Sequence, residues 1–125
     1  MNISELRSAI ADALTEINDA LTVDAYVPTV AQLPHAWVSV DSITPEVFGH
    51  RGGRVVGSVT FCVSGADEEG AWELLDEMLS DDSIVDAFNA VDFDVSVTQI
   101  VAIGEDVEIA GQVFKSFVVE WEAHL

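Results

Sequence analysis

The stretch RVVGSVTFCVSGADEEGAWELLDEML, Arg54–Leu79, decides the fold. Its first half alternates. Val55, Val59, Phe61 and Val63 fall on one side, and Ser58, Thr60, Cys62 and Ser64 on the other, which is the period-two pattern of a half-buried strand. Asp67, Glu68 and Glu69 then place acid where a helix N-terminus favours it. After them Ala71, Leu74, Leu75, Met78 and Leu79 recur at helical spacing, with Trp72 at the border of that apolar side. A strand running directly into an amphipathic helix predicts a sheet with helices packed on it.

Outward from this stretch the same two periods recur. Ile3, Leu6, Ile10, Leu14, Ile17 and Leu21 form one stripe of an N-terminal helix, and Asn2 with Glu5 has the spacing of a capping box. Tyr26 to Pro34 contains two prolines and reads as extended or looped. Ala36 to Ile43 reads as a strand, and Thr44 to Gly53 as a mobile loop with three glycines. Ser80 to Ser83 interrupts the middle helix, and Ile84, Val85 and Phe88 begin a short second piece. Phe93 to Ile103 and Val113 to Ala123 alternate as strands. Val107 and Ile109 form another short strand ahead of a hairpin turn at Gly111. The predicted order is α-β-β-α-β-β-β in a single domain, residues 1–125. That order describes an α+β domain: an antiparallel β-sheet with helices packed on one face.

Composition narrows the function. The chain has 125 residues and is 50% hydrophobic, so it can build a core. It sets 23 carboxylates against four basic side chains, Arg7, Arg51, Arg54 and Lys115, for a net charge of −19. Nucleic-acid binding rests first on neutralising phosphates, so such a surface repels DNA, and anionic membranes likewise. An origin whose proteins are acidic in general would give the same balance. Glu5, Arg7, Asp12, Glu16 and Asp19 interrupt any signal sequence or membrane span near the N-terminus.

No catalytic signature is present. Cys62 is the single cysteine, lies mid-strand without a neighbouring base, and reads as a packing residue. His35, His50 and His124 lack paired ligand spacing, and the acidic runs lack the pattern of a calcium loop. The glycines of the 44–53 loop match no phosphate-binding motif. No catalytic residue, cofactor or metal is therefore expected. The unusual feature is that His50, Arg51 and Arg54 gather in and beside one loop of an otherwise acidic chain. They either offset local acid or reach an acidic face of a neighbouring copy.

Three stretches, MNISELRSAIADAL, the Arg54–Leu79 segment and VTQIVAIGEDVEIAGQVFKSFVVEWEAHL, together give a layout that resembles the tail terminators of long-tailed bacteriophages, especially those of actinobacterial hosts. The resemblance covers nearly the whole chain and rests on layout. It implies a non-enzymatic virion protein assembled in the bacterial cytoplasm. Copies form a ring, a hexamer in that family, which caps the tail tube, stops its polymerisation and meets the head-side connector. DNA passes through the lumen without specific binding. The competing readings are another neck or tail component, such as a head-closure or tail-tube subunit, and an acidic DNA-mimic inhibitor.

Overall fold

The computed structural model describes residues 3–16, 22–26, 34–45, 53–64, 68–79, 83–91 and 94–124. Their elements run α1 (Ile3–Thr15), β1 (Thr22–Asp24), β2 (His35–Pro45), β3 (Gly53–Ser64), α2 (Glu68–Leu79), α3 (Ser83–Asn89), β4 (Asp94–Ile109) and β5 (Gln112–His124). The strands form one five-stranded sheet in the order β1-β2-β3-β5-β4. The domain is α+β, as the two periodicities require.

The alternation in β3 explains why this strand is central. Its odd-numbered side chains Val55, Val59, Phe61 and Val63 are buried, and they join Ala36 and Val38 of β2 and Phe117, Val119, Trp121 and Ala123 of β5. Leu6, Ile10 and Leu14 of α1, Ala71 and Leu75 of α2, and Ile84 and Phe88 of α3 complete the same cluster. All three helices therefore cover one face. Phe61 and Phe117 are direct cross-strand partners, and their rings stack with centroids 4.9 Å apart. Such aromatic pairs contribute about 0.5–1.5 kcal/mol beyond their buried area. A smaller cluster of Trp37, Cys62, Ile109 and Phe114 lies on the other side of the sheet, since Cys62 falls between Phe61 and Val63 along the strand.

Four features depart from the sequence reading. First, the sheet is mixed: β1 pairs with β2 in parallel, while the other three pairings are antiparallel. A three-residue strand is too short to display alternation. Second, α1 ends at Thr15, whose hydroxyl donates back to the Ala11 carbonyl (2.8 Å). Asn2, Ile17 and Leu21 lie outside the described residues. Third, the two strands expected over 93–109 are one strand, β4. Its register against β5 shifts between Val101 and Glu105, where Ala102 (φ 53°) and Gly104 (φ 79°) are left-handed. These residues break the period without ending the strand, as bulges do.

Fourth, the β2–β3 loop is shorter than the alternation suggests, because Thr44 pairs with Arg54 and Pro45 with Gly53. Pro45 is tolerated because β1 reaches only as far as Trp37, leaving this end of β2 at the sheet edge. Residues 46–52, with His50 and Arg51, lie outside the described residues. The hairpin turn at Gly111 is present, with both Ala110 and Gly111 at positive φ, the conformation of a two-residue type I′ turn.

Candidate functional site

The four basic residues were the sequence's strongest pointer, and the fold employs three of them within the chain. Arg7 projects from α1 toward the end of the β1–β2 ladder. That ladder stops at the pair Asp24 and Trp37. There Arg7 Nη1 donates to the carbonyls of the next two residues, Ala25 (2.9 Å) and Val38 (3.0 Å). Its guanidinium also lies 4.7 Å from the centre of the Tyr26 ring. The cation thus supplies donors where strand pairing stops, and ties α1 to two strands. Arg7 stands beside the apolar stripe of Ile3, Leu6 and Ile10, which is the signal that could have marked it as inward-facing.

Arg54 begins the exposed side of β3, facing away from the helices. Its Nε donates to Glu122 Oε1 (2.9 Å) on β5, and His124 Nε2 reaches the same oxygen (3.1 Å). In register Arg54 stands opposite both His124 and Thr44, and His124 stands opposite Asp94. Arg54 and His124 therefore share one end of the open face, beside the start of the 46–52 connection. Arg54 remains 51% exposed, so the pair contributes only about 0–1 kcal/mol and its cation can be offered to a partner. Lys115 binds Asp106 across the β4–β5 hairpin (2.8 Å).

A second polar group was not singled out from the sequence. His35 is buried, donates from Nε2 to Asp24 Oδ2 (2.6 Å), and meets Trp37 edge to face. The Asp24 side chain is half exposed. The contact joins β1 to β2 beside the backbone ladder. Cys62, the register partner of His35, is a free buried thiol whose pKa is raised by burial to about 11. It is thus a poor nucleophile at neutral pH. Among the described residues no three His, Cys, Asp or Glu side chains gather as a metal site, and no helix is long and apolar enough to cross a membrane.

No protein-family profile and no curated protein matches the chain. Among solved structures 22 chains match. One of them superposes on 100% of this chain and 97% of its own, at a TM-score of 0.58 and 17% identity. At that identity the likeness speaks for the fold alone.

Proposed function

We propose that this protein is a ring-forming structural subunit of a long-tailed bacteriophage, of the tail-terminator type, acting in the neck of the virion by assembly rather than catalysis. The observation that carries the reading is the layout. An N-terminal helix, a short strand, an antiparallel pair of long strands, two helices on the same face and a closing hairpin follow one another along the chain, and the resemblance of its sequence to that family supports the reading. Copies close into a ring, a hexamer by that resemblance, which meets the tail tube on one side and the head-side connector on the other. A net charge of −19 per copy suits a lumen through which DNA slides without being held.

The inter-subunit contact in this reading is heterologous. His50, Arg51 and Arg54 of one copy meet carboxylates of the next, and such contacts close into rings when the rotation permits. Native mass spectrometry and electron microscopy of the purified protein, alone and with its tail-tube protein, test this. Closed rings that weaken when Arg51 and Arg54 are both changed to Glu support the proposal. Open filaments would instead assign a tube subunit. A monomer that binds basic DNA-handling proteins would assign a DNA mimic.

A further inference from the structure

The register sorts the exposed side chains into the two ends of the sheet. Thr44, Arg54, His124 and Asp94 form a row across four strands at one end. Ser64, Phe114 and Val107 form a row at the other, beyond which the β4–β5 hairpin runs on to its turn at Ala110 and Gly111.

The hairpin end is apolar with an acidic rim. Trp72, in the second turn of α2, lies against Gly104 in the β4 bulge, yet its side of the fold leaves it 38% exposed. An aromatic ring held in place and still reachable is the usual anchor of an interface. Ile103, the residue before Gly104, is 47% exposed, and Val113 on the hairpin 54%. Glu69, Glu105 and Glu108 are exposed around them. The cation described at this end, Lys115, is mostly covered and held by Asp106 (2.8 Å).

The opposite end is the complement. Ile43 is 53% exposed, and Arg54 and His124 are about half exposed where they share Glu122. We infer that the Ile43–Arg54–His124 end of one copy docks on the Trp72–Ile103–Val113 end of the next, apolar against apolar and Arg54 among the carboxylates. This rests on the ring proposed above and names the surface that receives its basic residues. The two surfaces differ and lie at opposite ends, so the contact is heterologous and cannot pair a copy with itself about a two-fold axis. Net charge opposes association only at long range. At about 0.15 M salt the screening length is about 8 Å, so the groups at the contact decide its sign.

Native mass spectrometry first shows whether the unaltered protein forms rings. A monomer, alone and with its tail-tube protein, would overturn the ring proposal and this contact with it. Where rings form, Ile103→Gln with Val113→Gln should raise the concentration they need by about tenfold or more. Both side chains are about half exposed, so the variant should fold, which urea unfolding checks. Placement is read with cysteines on the full chain. Ile43→Cys with Val113→Cys, treated with a short bis-maleimide, should give a ladder of covalent oligomers on a denaturing gel, while either single variant stays monomeric. Cys62 is buried and does not compete. Rings unweakened by the paired Gln changes, or no ladder from the double-cysteine variant, would overturn this contact and leave the ring standing.

Discussion

The indole of Trp121 occupies the space that a side chain on Gly57, its direct cross-strand partner, would need. A Cβ on Gly57 would stand 2.3 Å from Trp121 Cζ2 and 2.4 Å from the Ser39 carbonyl oxygen. The ring could shift, but the β2 backbone cannot retreat without losing its pairing with β3. Gly57→Ala should therefore cost about 3 kcal/mol, the upper end for overpacking a core. Gly111→Ala is the contrast, since open space surrounds it and only its positive φ resists, at about 1 kcal/mol. Urea unfolding of the two variants measures the difference.

Arg7 acts as an internal clamp, so its loss should be felt as stability. Arg7→Met keeps the apolar stem but removes both hydrogen bonds and the contact with Tyr26. A loss of about 2–4 kcal/mol is expected. Arg7→Lys should recover only part of it, because an ammonium lacks the planar fork of a guanidinium. Equal stability of all three proteins in urea would show the clamp to be idle.

Cys62 gives a pH dependence of definite sign. Burial raises the thiol from 9.0 to about 11, so between those values the unfolded chain has released a proton that the folded chain keeps. The stabilisation tied to the protonated thiol is complete below pH 9. It is lost as pH rises toward 11, by roughly 2–3 kcal/mol in all. Cys62→Ala should remove this part of the decline. Thiol reagents near neutral pH should react with the native protein far more slowly than with the unfolded chain.

Much of the fold was legible in residues 54–79, because β3 is central and must alternate while α2 must carry an apolar side. β1 was not legible: Thr22–Asp24 is held by its ladder to β2, by the bond from Asp24 to His35 and by the nearby Arg7 clamp, all long-range contacts. β4 read as two strands because Gly104, Glu105 and Asp106 carry turn chemistry. The chain instead uses left-handed Ala102 and Gly104 to bulge and continue. Trp72 explains the glycine, for a Cβ at Gly104 would stand 2.2 Å from the end of its ring. Of the candidate site, Arg54 lies among the described residues, and its place as a cation at the start of β3 was legible. Its pairing with Glu122 was not, because it depends on the β3–β5 register.

The charge balance predicts how the isolated protein treats DNA. With four basic side chains, three of them in intrachain contacts, it should not retain duplex DNA at physiological salt. Fluorescence anisotropy checks this. Micromolar affinity with a steep salt dependence would make the basic loop a DNA contact and contradict a passive lumen.

The central claim is that this subunit ends the tail. Tail length in particles made while its gene is silenced in the infected host tests that most directly. The account predicts overlong tails without attached heads, seen by electron microscopy, with normal length restored by the intact protein. Tails of normal length joined to filled heads, in cells shown to lack the protein, would contradict it.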